Sequence, residues 1–226
     1  MSATDKPLRF AINLGNAVLA KTLPSGEPGG ITVELAQRIA NHMGLQPSFV
    51  TYPAAGLVVD DAGQDKWDIA FLAIDPKREE VLRFTQPYIV IQGTMLVNEG
   101  SEWQSVEDVD GEGVVINVGK GAAYDLHLTR HLKHARLNRL ASSQAAIEAF
   151  LNGEGDMAAG IRQPLEKTAS VHPCYRVLPD NFGQIQQAIC VPYLHESMYE
   201  CLSSLLSEWI ADHSLQTLVD RQFATQ

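Results

Sequence analysis

Two apolar stretches without a helical period, residues 88–98 (YIVIQGTMLVN) and 184–191 (QIQQAICV), constrain this chain more than any motif in it. Each has the length of a strand and neither repeats at 3.6 residues, so both read as extended segments. Strand-like and helical patterns alternate through the rest of the chain, which gives an α/β protein with largely parallel sheets. The two segments bracket a middle α/β stretch. They therefore predict a discontinuous first lobe, residues 1–92 and 189–226, with a second lobe, residues 93–188, inserted into it and joined by two crossing strands. A cleft between two such lobes is a natural ligand site that closes by hinge motion.

In the first lobe, residues 8–14 form an opening strand and GEPGG at 26–30 a turn. A helix follows over about 32–43, with Val33, Ala36, Ile39, Ala40 and Met43 on one face and Gly44 to end it. Residues 47–52 read as the next strand, and the apolar run 69–74 as a buried one. That run stops at Asp75-Pro76, an N-cap residue followed by proline at the first helical position, which predicts a helix with Arg78 in its first turn. In the second lobe, a strand over 114–118, the turn Gly119-Lys120-Gly121 and a helix through about 132 form a fresh unit. Ser142 or Ser143 caps a helix that Asn152-Gly153 ends, and 157–159 is a short strand. Helices over about 196–210 and 215–223 close the chain. Met198, Leu202, Leu205 and Trp209 form a stripe on the first of them that packs against a sheet.

The formal net charge of −10 leaves no basic face for phosphates or for an anionic membrane surface. No apolar run approaches the roughly 20 residues that span a bilayer. The first residues, MSATDKPLRF, lack the charged and apolar regions of a signal peptide, so the chain either stays in the cytosol or is a trimmed mature form. Cys174, Cys190 and Cys201 have no metal-type spacing. One disulfide or three buried free thiols both fit the sequence. His127, His131 and His134 share a helical spacing that reads as a partly exposed helix face, and no metal or cofactor is expected. Neither a GxSxG elbow nor an HExxH pattern is present.

Arg78 is the leading candidate site residue. At the carboxyl end of a strand in an open sheet, a guanidinium can hold a carboxylate through two parallel hydrogen bonds. The alternative is a surface arginine paired with Asp75, Glu79 or Glu80. Gly121, Ala122 and Ala123 open a helix, where small residues let backbone N–H groups approach an anion; a tight strand-to-helix turn is the other reading. Tyr124 occupies the third glycine position of a dinucleotide fingerprint, so that motif is not met. Asn13 and Asn16 follow the first strand, either as turn formers or as cleft-lining amides. Arg162, beside the 157–160 strand, points into the cleft or into solvent.

These pieces resemble bacterial solute-binding protein family 3, the polar amino-acid group of type 2 periplasmic binding proteins. The carrying segments are LRFAINLGN (8–16), GGITVELAQRIANHMGL (29–45), WDIAFLAIDPKREEVLRFTQPY (67–88), VEDVDGEGVVINVGKGAAYD (106–125) and AIEAFLNGEGDMAAG (146–160). The resemblance implies two α/β lobes, a two-strand hinge and one small carboxylate ligand enclosed between the lobes. It implies a periplasmic, monomeric binding component that serves the membrane subunits of an ABC importer. Arg78 matches the arginine that clamps the ligand carboxylate, and Asn13 and Asn16 fall among the cleft residues after the first strand. Phe71 and Ala73 match the floor, while Gly121, Ala122 and Ala123 match the turn that donates N–H groups to the same carboxylate.

One position departs from the pattern. The aspartate that pairs with an α-ammonium is expected about five residues after Asp156, and Ile161 and Arg162 stand there instead. Asp75 is a possible substitute. Two arginines at one cleft would suit a dicarboxylate, or a carboxylate without an amine. A sensor without a transporter, and an enzyme resembling cyclohexadienyl dehydratase with Asp75, Asp156 or Glu166 as its acid, are the competing functions.

Overall fold

The computed structural model describes residues 6–224, with the side chains of residues 222–224 left aside. The chain divides into two compact units, residues 1–89 with 186–226, and residues 90–185. The first unit begins with β1 (Leu8–Asn13), a small hairpin of β2 (Lys21–Thr22) and β3 (Pro28–Gly29), and α1 (Ile31–His42). It continues through β4 (Pro47–Tyr52), α2 (Ala55–Asp60) and β5 (Ile69–Ala73). Strand β6 (Leu82–Asn98) then carries the chain into the second unit, which holds β7 (Val115–Gly119), α3 (Ala123–His131) and β8 (Arg136–Leu140). After these come α4 (Ser143–Leu151), β9 (Met157–Ile161), α5 (Arg162–Val171) and β10 (Tyr175–Val177). Strand β11 (Gly183–Pro192) returns to the first unit, where α6 (Glu196–Ala211) and α7 (Ser214–Ala224) complete the chain.

In the first unit β1 lies between β4 and β5 and is parallel to both, and β11 runs antiparallel to β5. The chain leaves β1 through α1 to one side, reaches β4, and crosses back through α2 to β5 on the other side. Connections that part in opposite directions make a switch point between the carboxyl ends of β1 and β5, where open α/β sheets bind their ligands. The register there is pinned by Arg9, whose backbone N–H donates to an Asp68 carboxylate oxygen at 2.8 Å and whose guanidinium pairs with the other at 2.7 Å. One face of the sheet buries Ala11, Ala70, Leu72 and Cys190 against Trp67, Val58 and Leu82. On Phe71, the stacked ring of Phe10 lies at 6.3 Å and the edge-on ring of Tyr88 at 6.1 Å.

The second unit repeats the plan. Strand β7 is parallel to both β8 and β9, with α3 and α4 as its crossovers, so a second switch point lies between the ends of β7 and β9. Strand β9 is antiparallel to β6, and β10 pairs with β6 on the latter's other edge. Ile147, Phe150, Leu96, Ala158 and Leu165 form a core cluster under α4 and α5. Helix α4 starts where its cap predicts: the Ser142 hydroxyl accepts from the Ala145 N–H at 3.0 Å.

Several local expectations change. No helix follows Asp75. Its backbone carbonyl accepts from Arg78 and Glu79, the Arg78 carbonyl accepts from Val81 and Leu82, and there the turn ends. Leu82 is drawn into the core and the chain extends as β6. Helices α2 and α5 and the edge strand β8 carry too little apolar periodicity to stand out in sequence; α5 buries only Leu165 fully. All three cysteines are free, and of them only Cys190 is buried, with Cys174 exposed.

Candidate functional site

Arg78 stands at the switch point of the first unit and is almost wholly buried, as is Asp75 three residues before it. Its Nη1 donates to the Ala73 carbonyl at 2.9 Å, which folds the guanidinium back over the end of β5. Burial pulls the Arg78 pKa down from its ordinary value, and the nearby Asp75 and Cys190 oppose that shift. The guanidinium remains a cation at any pH of interest. Asp75 caps the turn through Oδ1, which accepts from the Lys77 N–H at 3.0 Å. This is the N-cap that the Asp-Pro dipeptide announces, on a single turn instead of a helix.

Phe71 and Ala73 are buried in β5, Phe71 within the aromatic row and Ala73 under Arg78. From the end of β1, Asn13 serves a turn: its Oδ1 accepts from the Gly15 N–H at 3.0 Å and its carbonyl from Asn16. Asn16 is 8% exposed, and its Oδ1 has no hydrogen-bond partner. The Asn16 carbonyl accepts from the Leu19 and Ala20 N–H groups, so the backbone of this loop is fixed while the side-chain oxygen is left over. The β1–β5 register aligns Phe10 with Ile69 and Ala11 with Ala70. The loop that follows β1 leans on the end of β4, where the Leu14 N–H donates to the Tyr52 carbonyl at 2.8 Å.

In the second unit, Gly121 has φ +72, a left-handed backbone that glycine adopts without strain. Its N–H already donates to Asp125 Oδ2 at 2.8 Å, and the Ala122 N–H donates to the Gly119 carbonyl. Ala122 is the N-cap of α3 and supplies no capping side chain to the first helical turn. Asp125 is a residue that sequence reasoning passed over. Its side chain is 4% exposed, accepts the Gly121 N–H, and pairs with Arg139 Nε at 2.9 Å. The signal was present, since an acidic residue in the first turn of a helix meets the positive end of its dipole.

Arg162 lies at the start of α5, and its donors are engaged within its own unit. Nε donates to Gln92 Oε1 at 3.0 Å, Nη1 to Glu166 and the Leu178 carbonyl, and Nη2 to the carbonyls of Pro179 and Asp180. A guanidinium has five N–H donors, so the expectation of a second ligand-facing cation has no donor to rest on. Arg162 anchors the loop ahead of β11. The other acids weighed for catalysis are also committed: Asp156 accepts the Val115 N–H at 2.7 Å, and Glu166 pairs with Arg162. His127 and His131 stack with ring centroids 4.0 Å apart, and among the described residues no group of three or more metal-binding side chains occurs.

Residues 8–225 match the model of bacterial extracellular solute-binding proteins, family 3. A cyclohexadienyl dehydratase of Pseudomonas aeruginosa is 27% identical over 136 residues, which is 58% of this chain and 50% of that protein. The L-cystine-binding protein TcyJ of Escherichia coli is 21% identical over 200 residues, 88% of this chain and 75% of that protein. This chain thus spans half the length of the first relative and three quarters of the second. A binding component of an ABC transporter from Wolinella succinogenes, solved with lysine, superposes with a TM-score of 0.82 at 21% identity, covering 95% of this chain and 94% of that one. At that identity the likeness carries the fold alone: two α/β units, each with a central parallel strand.

Proposed function

The chain belongs to the bacterial extracellular solute-binding proteins, family 3, and on that premise we propose that it captures a small carboxylate, an amino acid or a related organic acid, as the substrate-binding component of an ABC importer. The observation that carries this reading is the buried Arg78 at the switch point of the first unit, folded over the end of β5. Buried beside Asp75 at the end of a strand, the guanidinium is of the type that receives a ligand carboxylate on its planar fork. The start of α3 in the second unit, whose cap residue brings no side chain, is a second place where the helix dipole favours an anion. On this reading the protein acts as a monomer outside the cytoplasmic membrane; its family is described as extracellular, and no helix among the described residues is long and apolar enough to cross a membrane.

A thermal-shift screen of amino acids, keto acids and dicarboxylates tests this. A ligand at 100 times its Kd adds about 2.7 kcal/mol of stability, so a true ligand raises the melting temperature by several degrees. Absence of any shift across the screen refutes the binding reading. Reconstitution with the cognate membrane subunits separates an importer component from a sensor of the same fold.

The dehydratase relative supports a second reading, an enzyme on this fold. Such chemistry needs a general acid at the ligand. On this reading Asp75, buried beside Arg78 at the end of β5, is the acid to test. Turnover of prephenate or arogenate, abolished in Asp75→Asn, would establish it; inert substrates over long incubation would dismiss it.

A further inference from the structure

We infer that His127 and His131, one turn apart on α3, form a binding site for a divalent transition-metal ion, apart from the carboxylate site proposed above. Their rings stack with centroids 4.0 Å apart and 17° between the planes. Residues four apart on a helix carry their Cβ atoms about 5–6 Å from each other, the spacing with which a helical histidine pair holds zinc in the HExxH pattern. The His131 Nδ1 lies 2.7 Å from the His127 carbonyl oxygen. A carbonyl only accepts, so the proton sits on Nδ1 and the lone pair on Nε2. Metal-bound histidines are oriented in this way, by a hydrogen bond from the nitrogen that does not ligate.

His131 is exposed and His127 half-buried, the latter also stacked on Phe182 with centroids 5.6 Å apart. Parallel rings do not aim at one point. A turn of each about its Cβ–Cγ bond, a broad torsion, brings a nitrogen of each to a common ion. An imidazole has two nitrogens, so a hydrogen bond at one leaves the other to ligate. Among the described residues no third His, Cys, Asp or Glu joins the pair, which leaves the remaining coordination positions to solvent, as in an open site. Two imidazoles without a carboxylate select Ni²⁺, Cu²⁺ or Zn²⁺ over Mg²⁺ and Ca²⁺. The ion ties the last turn of α3, a 9-residue helix that buries only Tyr124, Asp125 and Leu128 and is too short to be stable by itself.

The test uses Ni²⁺ as the probe and Mg²⁺ as the control ion, titrated calorimetrically into the full chain. Wild type is compared with His127→Phe, which keeps an aromatic ring against Phe182, and with the exposed His131→Gln. His134→Ala and Cys174→Ser, at exposed groups outside the pair, are the controls. Wild type should bind one Ni²⁺ per chain and no Mg²⁺. His127→Phe and His131→Gln should each weaken Ni²⁺ binding by about tenfold or more, because a lone imidazole forgoes the second, intramolecular attachment. His134→Ala and Cys174→Ser should leave it unchanged. Saturating Ni²⁺ should raise the melting temperature of wild type but not of His131→Gln, with far-UV circular dichroism of the metal-free proteins showing that both fold. Ni²⁺ binding that survives both histidine variants, disappears in Cys174→Ser or is matched by Mg²⁺ refutes the pair as its ligands, and so does a wild type that takes up no Ni²⁺. The carboxylate reading is decided separately by the ligand screen, so the two can fail independently.

Discussion

Replacing Arg78 is the perturbation whose outcome the structure constrains most tightly. The side chain is 2% exposed and is held by the Ala73 carbonyl at 2.9 Å. Removing one partner of a buried, hydrogen-bonded charge pair costs roughly 3–5 kcal/mol, and each 1.4 kcal/mol is a factor of ten in affinity. Arg78→Ala should therefore weaken ligand binding by roughly 10²- to 10⁴-fold, beyond detection for a micromolar ligand. The unliganded variant also leaves Asp75 buried beside a vacated cation, so a lower melting temperature is expected as well. Arg78→Lys controls for this: it keeps the charge near Asp75 but loses the planar fork that grips a carboxylate bidentately. It should melt near wild type and bind roughly ten- to hundredfold more weakly. Titration calorimetry with any ligand found in the thermal-shift screen, alongside far-UV circular dichroism, measures both effects. Wild-type affinity in either variant would show that the guanidinium faces no ligand.

Arg162→Ala should behave in the opposite way. Its loss removes the five contacts that hold the loop ahead of β11; at about 0.5–1.5 kcal/mol each, discounted for partial exposure, stability falls by about 2–4 kcal/mol with ligand affinity nearly unchanged, and a large affinity loss at constant stability would overturn the anchoring role. Gly93→Ala should destabilise by about 1–3 kcal/mol, read from urea unfolding, because a Cβ there would lie 2.4 Å from the Phe182 ring. The acid limb of stability should carry the mark of Asp68. Burial alone would raise its pKa, but hydrogen bonds from Arg9 hold it below the usual carboxylate value. A depressed carboxylate contributes stability above its unfolded pKa and loses it as pH falls through the folded one. The melting temperature should thus decline below about pH 4, and Asp68→Asn should melt lower at pH 7 with a shallower acid limb.

Much of the local structure was legible because its causes are local. The apolar face of α1 buries Val33, Ala36, Ile39 and Ala40, and Gly44 follows it with φ +67. Ser142 caps α4, and Gly153, with φ +85, follows its end. The stripe of α6 buries Leu202, Leu205 and Trp209. Where the sequence misled, the competing cause was tertiary. Asp75-Pro76 is a sound helix start, yet burial of Leu82 and the extension of β6 stop the turn after Arg78. Helix α5 escaped notice because Leu165 is its one fully buried residue.

The candidate site divides along the same line. Periodicity and capping chemistry, which depend on neighbours three or four residues away, placed Arg78 and Asp75 in one turn at the end of a strand and put small residues at the start of α3. Only the folded chain decided what those groups meet. The strand order sets β1 beside β5, aligning Phe10 with Ile69 and Ala11 with Ala70 across 59 residues of chain. It also gives Arg162 to the carbonyls of residues 178–180, up to 18 positions away, and Asp125 to Gly121 and Arg139. A side chain's partners across the fold depend on strand order and register, which no local pattern encodes, and for that reason the residue types of this site could be read in the sequence while their pairing could not.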